Sequence, residues 1–317
     1  MNVTVIGCGR WGSLIAWYLD TLGHAVTLYG LKGTPEMERF LKERKNDLLT
    51  LPDRMTLSTN IAVAKTADIL IISVPSQNLR AVFKDLEPLE LHDKTVVLCM
   101  KGLEISTGKR LSQVAAEFLH PSCGLAVWLG PGHVQAFYAG IPNCMVIDSE
   151  DEAVKERLVC AFSGPLIRFY YGDDLIGNEI GGAAKNVIGI AAGILDGMQL
   201  GTLKGALMSR GTREIARLIE ALGGKAQSAY GLCHLGDYEA TLFSPYSQNR
   251  RYGECLMTGE PYSKLAEGHY TAKALHDMAK KVNVELPICE AVYSVLYENV
   301  DPKTAIEQLF DRQLKKE

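Results

Sequence analysis

The first half of the chain alternates short apolar runs with amphipathic segments. The runs contain mainly Val, Ile and Leu, which is typical of strands buried on both faces of a sheet. They span residues 3–6, 25–29, 69–74, 95–99, 125–129 and 144–147. The segments between them, among them 12–22, 34–44, 77–86 and 109–119, have helical periodicity. This alternation predicts an α/β fold with a doubly wound, mainly parallel sheet.

The second half has a different pattern. From about residue 174 the strand signal disappears, and helical periodicity runs through 180–195, 202–222, 263–282, 287–300 and 302–313. Asp301 and Pro302 are typical of the N-cap and the first position of the last helix. Segment 180–195 is apolar nearly all round, which predicts a helix buried in a core. We therefore expect a dinucleotide-binding domain over residues 1–175 and an all-α substrate domain over residues 176–317, in line with the length of the chain.

Composition and charge exclude several classes of protein. The chain has 33 basic and 37 acidic side chains, so it lacks the basic excess of a nucleic-acid binder. The longest stretch without a charged residue, 118–147, contains three prolines and predicts no membrane span. None of the eight cysteines has CxxC or zinc-ligand spacing, so we expect a reduced protein without a structural metal. The N-terminus shows no signal-peptide pattern, and we expect a cytoplasmic protein.

A glycine-rich loop follows the first apolar run directly. Gly7, Gly9 and Gly12 form a GxGxxG pattern between a predicted strand and a predicted helix. In that context the glycines permit a tight turn and close approach of a pyrophosphate to the helix N-terminus. The loop predicts binding of NAD or NADP. The second predicted strand has no acidic residue at its end, and Lys32 nearby either contacts the 2′-phosphate of NADP or is a solvated loop lysine.

Two lysines and an aspartate are candidates for the chemistry. Lys101 follows the strand at 95–99, at the edge of the sheet where ligands of such folds bind. Lys185 lies within the apolar helix, where burial would lower its pKa and suit acid–base work, unless it extends to the surface. Asp237 either orients a catalytic lysine or caps a helix. Segment 244–251 is a polar loop that either binds an anion or is simply solvated, and the seven histidines show no catalytic spacing.

Together these segments resemble the bacterial NAD(P)-dependent glycerol-3-phosphate dehydrogenases over nearly the whole chain. The most specific stretch is IGNEIGGAAKNVI at residues 176–188. Supporting blocks lie at 74–77, 101–104, 130–131, 235–237, 249–251, 267–268 and 286–288. The resemblance implies a Rossmann-type domain, a helical substrate domain and a homodimer.

The resemblance also implies the reaction and the roles of individual residues. The reaction would be the reversible reduction of dihydroxyacetone phosphate to sn-glycerol 3-phosphate for phospholipid synthesis, with Lys185 as the catalytic acid/base. Lys101 and Asp237 would complete the catalytic group, and both would contact the substrate. Lys101 would also contact the cofactor, together with Arg10, Trp11, Val134, Gln248, Leu265 and Glu267. The other substrate contacts would be Gly130, Gly132, Ser247, Gln248, Asn249 and Arg250.

Two positions of the substrate site depart from the family pattern, and the arginine often found after the second strand is absent, with Leu31 and Lys32 in that region. The family usually has Ser-Arg-Asn where this chain has Ser247, Gln248 and Asn249, so a cation that serves anions is replaced by a neutral amide, for which Arg250 would substitute. The family's Gly-Pro-Ser ends here in Gly132, which has no hydroxyl. These changes favour a second hypothesis, a related dehydrogenase for another small hydroxy acid or phosphorylated ketone. A third, a non-catalytic nucleotide sensor, would not need the two lysines and Asp237.

Overall fold

The chain forms two compact units. A computed structural model describes residues 1–313 of the 317. The first unit contains Met1–Met100 and Leu111–Leu175. The second contains Lys101–Arg110 and the chain from Ile176 onward. The short segment Lys101–Arg110, which the sequence division assigns to the first domain, thus belongs to the second unit.

Within the described residues, the first unit is built on an eight-stranded sheet. The strand order is β3-β2-β1-β4-β5-β6-β7-β8, and all neighbouring pairs are parallel except β6 and β7. This confirms the doubly wound, mainly parallel sheet. The strands are β1 (Asn2–Ile6), β2 (Ala25–Tyr29), β3 (Thr56–Ser58), β4 (Ile69–Ile72), β5 (Thr95–Leu98), β6 (Gly124–Leu129), β7 (Asn143–Asp148) and β8 (Ile167–Tyr171).

Strand β1 lies between β2 and β4, so the chain winds outward in both directions from this point. Crevices at such a switch point, beyond the carboxyl ends of the strands, are where ligands bind in this class of sheet. The glycine-rich loop follows β1 directly and therefore lies at that crevice. The helices of this unit are α1 (Arg10–Thr21), α2 (Pro35–Glu43), α3 (Leu79–Leu86), α4 (Leu111–Ala116), α5 (Val134–Tyr138) and α6 (Glu152–Phe162).

All six strands predicted for the first half are confirmed, to within one or two residues at their ends. The two strands that the pattern missed, β3 and β8, are the edge strands of the sheet. Strand β3 has only three residues, and β8 exposes Arg168, Tyr170 and Tyr171. Edge strands do not require the continuous apolar run that marks a central strand, so the pattern carries little signal there.

The second unit is helical. Its helices are α7 (Leu175–Gly197), α8 (Lys204–Ala221), α9 (Gln248–Thr258), α10 (Glu267–Val282), α11 (Pro287–Tyr297) and α12 (Pro302–Phe310). Helix α7 is buried over nearly its whole length and forms the centre of the core, as its apolar sequence predicts. Asp301 caps α12 by accepting a hydrogen bond from the Thr304 amide. In the described part of the chain, no helix is long and apolar enough to cross a membrane.

Two contacts explain why Lys101–Arg110 belongs to the helical unit. The Leu103 side chain is fully buried in the core around α7. The Arg110 guanidinium pairs with the Glu179 carboxylate on α7 at 2.5 Å, and both side chains are largely buried. The segment is thereby held against α7, and it carries Lys101 at its first position.

The polar segment 244–251 differs from the prediction. It is not a loop throughout, because helix α9 begins at Gln248. Ser247 is the N-cap, and its hydroxyl accepts a hydrogen bond from the Arg250 amide at 3.3 Å. The second half of the predicted anion-binding segment, residues 248–251, therefore lies on the first turn of a helix.

Candidate active site

The glycine-rich loop has the geometry of a pyrophosphate cradle. Gly7 has a φ of +113°, and a Cβ there would lie 2.1 Å from the Ser73 carbonyl oxygen. A Cβ on Gly12 would lie 1.9 Å from the Gly7 carbonyl oxygen, whereas one on Gly9 would meet no atom within 4 Å. Gly7 and Gly12 thus permit the tight turn, and Gly9 leaves an open surface.

That open surface is the N-terminus of helix α1. The Gly9 N-cap has no side chain, and the first turn contains no acidic residue. The unpaired amides and the positive end of the helix dipole favour an anion at this position. The loop therefore fits the pyrophosphate of NAD or NADP. Arg10 and Trp11, predicted to contact the cofactor, are the first two residues of the helix, and Trp11 packs near Phe137.

The end of β2, residues 29–32, contains no carboxylate. The strand ends at Tyr29, and a Cβ on Gly30 would lie 2.5 Å from the Cys8 sulfur, so a longer side chain does not fit there. Leu31 and Lys32 follow and are exposed. Lys32 is the nearest cation in sequence, and the nearest carboxylates in sequence, Glu36 and Glu38, lie in the first turn of α2, where Glu38 accepts a hydrogen bond from the Gly33 amide at 3.0 Å.

In the second unit, Lys101, Lys185 and Asp237 form one cluster. The Asp237 carboxylate is 1% exposed, and its Oδ2 atom lies 2.5 Å from Lys101 Nζ and 2.9 Å from Lys185 Nζ. Its Oδ1 atom is buried and has no hydrogen-bond partner among the described residues. Lys185 Nζ also donates to Thr241 Oγ1 at 2.7 Å, which in turn donates to the Asp237 carbonyl oxygen. Asp237 is therefore more than a helix cap, because its carboxylate pairs with both lysines.

The environment tunes the ammonium of Lys185. The pKa of Lys185 is lowered from 10.5 to about 8, mainly by burial; Asp237 opposes this shift, and the neighbouring Lys101 charge contributes to it. Lys185 is 8% exposed, so its side chain does not extend to the surface. A lysine of this kind is mostly protonated at neutral pH yet releases its proton readily, which suits a general acid/base.

A chain of asparagines ties the cluster to three helices. The Asn186 amide donates to the Lys101 carbonyl oxygen at 3.0 Å, and its Oδ1 accepts from Asn249 Nδ2 at 2.9 Å. Asn249 Oδ1 accepts from the Gly268 amide at 2.9 Å. Helices α7, α9 and α10 are thereby joined beside Lys101. Asn249 is a predicted site residue. Asn186 and Thr241 were missed, although Asn186 is next to Lys185 and Thr241 lies one turn after Asp237.

Two other predicted site residues, Gln248 and Arg250, are held by hydrogen bonds or ion pairs within the protein. Gln248 is held by Tyr246 and Tyr262, since its Nε2 donates to the Tyr246 carbonyl and its Oε1 accepts from the Tyr262 hydroxyl. Arg250 pairs with Asp196 at 2.7 Å, so in this geometry it does not take the place of the missing arginine. Leu265 is exposed, and Glu267 begins helix α10.

The remaining predicted residues lie in the first unit, between β6 and α5. Gly130 and Gly132 have φ values of +130° and +147°, and Val134 is the buried first residue of α5. A Cβ on Gly132 would lie 2.2 Å from the Phe137 ring. The serine that the family resemblance leads one to expect at this position therefore does not fit beside Phe137 without rearrangement.

Comparison with known proteins agrees with this geometry. Residues 2–155 match the model of the N-terminal domain of NAD-dependent glycerol-3-phosphate dehydrogenase, and residues 174–307 match that of its C-terminal domain. The chain is 38% identical to glycerol-3-phosphate dehydrogenase [NAD(P)+] of Bradyrhizobium sp. (strain ORS 278), over all of this chain and 98% of the relative. It is 37% identical to the protein of that name from Fusobacterium nucleatum, and the match covers 100% of this chain and 98% of the relative.

Solved structures give the same result. The crystal structure of glycerol-3-phosphate dehydrogenase from Coxiella burnetii has a TM-score of 0.92 at 28% identity, and the match covers 98% of this chain and 99% of that one. The Plasmodium falciparum glycerol-3-phosphate dehydrogenase shares the fold, with a TM-score of 0.87 at 19% identity. That match covers 100% of this chain and 97% of the other. The chain belongs to the NAD-dependent glycerol-3-phosphate dehydrogenase family.

Proposed function

We propose that this chain catalyses the reversible reduction of dihydroxyacetone phosphate to sn-glycerol 3-phosphate, with Lys185 as the acid/base. As a member of its family it is an NAD(P)-dependent oxidoreductase that acts on a CH–OH group. The observation that carries the role of Lys185 is its cluster with Asp237 and Lys101, in which a buried ammonium with a pKa of about 8 is held by a buried carboxylate.

The residues of the cluster have distinct tasks. In the reductive direction Lys185 Nζ donates a proton to the substrate oxygen as negative charge develops there, and in the oxidative direction it accepts that proton. Asp237 holds the ammonium in place, and the second cation, Lys101, stabilises developing negative charge and the anionic ligand. The cofactor, when bound, supplies the hydride. Gly7, Gly9 and Gly12 would hold its pyrophosphate at α1.

We further propose that both NAD(H) and NADP(H) are used. The open end of β2 supports this, because it has no carboxylate and Lys32 is exposed. We place the enzyme in the cytoplasm, where it would supply sn-glycerol 3-phosphate for phospholipid synthesis, and this agrees with eight cysteines among which no disulfide forms. A homodimer is the assembly we expect from the family.

The test is the oxidation of NADPH and NADH in the presence of dihydroxyacetone phosphate, with Lys185→Met beside the wild type. Removing the acid should lower kcat by about 10²–10⁴-fold. Lys155→Met is the matched control, because Lys155 is also buried and paired with carboxylates but belongs to the first unit. Lys155→Met should retain turnover and lose only stability. Wild-type turnover that survives Lys185→Met would show that another group is the acid.

One observation favours a second candidate, a related dehydrogenase with a changed substrate. Gln248 is neutral and already bonded to Tyr246 and Tyr262, and Phe137 fills the space beside Gly132. A panel of small ketones and 2-keto acids distinguishes the two. Lys185-dependent turnover of another ketone, with none of dihydroxyacetone phosphate, would select this candidate.

A further inference from the structure

A buried histidine–tyrosine pair lies beside the catalytic cluster. His234 and Tyr238 are both 0% exposed. His234 Nδ1 lies 2.8 Å from the Gly181 carbonyl oxygen, and Nε2 lies 2.7 Å from the Tyr238 hydroxyl. Because a carbonyl oxygen only accepts, Nδ1 carries the proton and donates to Gly181, and Nε2 accepts from Tyr238. Every polar atom of the imidazole is therefore used.

The pair connects the two elements that carry the acid/base and its carboxylate. Gly181 lies one helical turn before Lys185 on α7, and in an α-helix its carbonyl is the acceptor for the Lys185 amide. The Asp237 amide donates to the His234 carbonyl oxygen at 3.0 Å. His234 thus bonds through its side chain to the turn that carries Lys185, and through its backbone to the turn that carries Asp237.

The contact between His234 and α7 is close. A Cβ on Gly181 would lie 2.9 Å from the Cβ of His234, so the absence of a side chain at Gly181 permits the ring to reach the helix backbone. The Tyr238 hydroxyl lies near Gly211 on α8, which limits movement of the ring from the other side. The separation between α7 and the 235–237 turn is thereby set by packing as well as by hydrogen bonds.

The ring stays neutral in this environment. The pKa of His234 is lowered to about 4, mainly by burial with a contribution from the Lys185 charge, whereas the hydrogen bond to Gly181 and the Asp237 charge oppose the shift. The ionisable groups that face Lys185 are Asp237, Lys101 and His234, and Glu214 and Cys289 face Tyr238 from α8 and α11. A neutral ring adds no charge to the cluster, so its effect on Lys185 is exerted through distance.

We propose that His234, backed by Tyr238, is a positioning residue that sets the distance between Lys185 and Asp237. The inference rests on the proposed role of Lys185 as acid/base. It goes beyond that role, because it assigns the tuning of the acid to a residue whose side chain is 0% exposed.

The experiment compares the pH dependence of kcat/KM for dihydroxyacetone phosphate reduction in four variants. His234→Leu removes both side-chain bonds, and Tyr238→Phe removes one while it keeps the ring. His234→Gln retains a donor for Gly181 and an acceptor for Tyr238. The matched control is Tyr18→Phe, which removes a buried tyrosine hydroxyl from the first unit, where it donates to the Phe162 carbonyl oxygen. Melting temperatures are recorded for all four.

The expected result is a shift of the basic limb of the profile, where Lys185 loses its proton. The distance between Lys185 Nζ and Asp237 Oδ2 is 2.9 Å, and lengthening it by about 1 Å weakens their attraction. This should lower the pKa of Lys185, as seen in the pH profile, by about one unit. We expect this shift in His234→Leu and Tyr238→Phe, a return towards the wild-type value in His234→Gln, and no shift in Tyr18→Phe even if its melting temperature falls.

Two other outcomes are distinguishable. If His234→Leu and Tyr238→Phe melt at lower temperature but keep the wild-type basic limb, His234 is only a structural residue and the proposal is wrong. Lys185→Met is measured in parallel. If it keeps turnover, the acid/base assignment itself fails, and the inference about His234 fails with it.

Discussion

Replacing Asp237 by asparagine tests the electrostatic part of the mechanism most directly. The substitution keeps the size of the side chain but removes a charge that two ammonium groups share, at 2.9 Å from Lys185 Nζ and 2.5 Å from Lys101 Nζ. With an effective dielectric constant of about 20, unit charges at 2.9 Å attract by about 6 kcal/mol, which equals about 4 pKa units. Relaxation and entering water reduce this value, so we expect the pKa of Lys185 to fall by at least about 2 units.

The assay is kcat/KM for dihydroxyacetone phosphate reduction, followed through NADPH absorbance over a range of pH. In the wild type, with a Lys185 pKa of about 8, the acid is mostly protonated at pH 7. In Asp237→Asn it should be mostly neutral, because its pKa falls below 7. Reduction at pH 7 should therefore drop by at least about tenfold, and the basic limb of the profile should move to lower pH.

The control for Asp237→Asn is Asp148→Asn, which removes a similarly buried carboxylate that pairs with Lys155 in the first unit. Both variants should lose stability, since each removes a buried carboxylate that faces a buried ammonium. Only Asp237→Asn should move the basic limb. An Asp237→Asn enzyme with lower activity but an unchanged limb would refute the reasoning, because the carboxylate would then not control the protonation of Lys185.

Three further predictions concern the cofactor loop, cofactor choice and stability. Gly9→Ala should fold normally but raise the KM for NADPH by about tenfold or more, because the new Cβ occupies the open space where the pyrophosphate would bind. Gly12→Ala should instead lower the melting temperature, because its Cβ would lie 1.9 Å from the Gly7 carbonyl oxygen. Lys32→Ala should raise the KM for NADPH severalfold and leave that for NADH unchanged, and equal effects would assign Lys32 to the solvated loop. Burial raises the pKa of Glu214 from 4.5 to about 7, so the native state binds its proton more tightly than the unfolded chain does, and stability is lost as pH rises between these values. Thermal melts of Glu214→Gln should lack that decline, which is worth up to about 3 kcal/mol.

Much of the site was predictable one residue at a time. Lys185 stands out because a lysine in an otherwise apolar helix is unusual, and Lys101 because it follows a buried strand. The hydrogen-bond partners Thr241, Asn186 and His234 were not predictable in this way. Threonine, asparagine and histidine are common in ordinary helices and turns, and only the path of the chain brings these three beside the lysine–aspartate cluster.

The sequence by itself determined the features that depend on neighbours along the chain. The central strands, the glycine loop after β1, the apolar helix α7 and the Asp301 cap of α12 all follow from periodicity and capping, which act over a few residues. The edge strands β3 and β8 were missed, because a strand with one free edge needs few apolar residues.

Only the tertiary structure decided which distant residues meet. It joins Lys101 to Asp237, which is 136 residues further along the chain, and it assigns the segment Lys101–Arg110 to the helical unit. It also decided that Lys185 is buried and paired, which lowers its pKa, and that Arg250 is bound by Asp196. The physical reason is that desolvation and charge pairing act through space over a few ångströms. Residues far apart in the chain therefore control the acidity of one another only once the fold has placed them in contact.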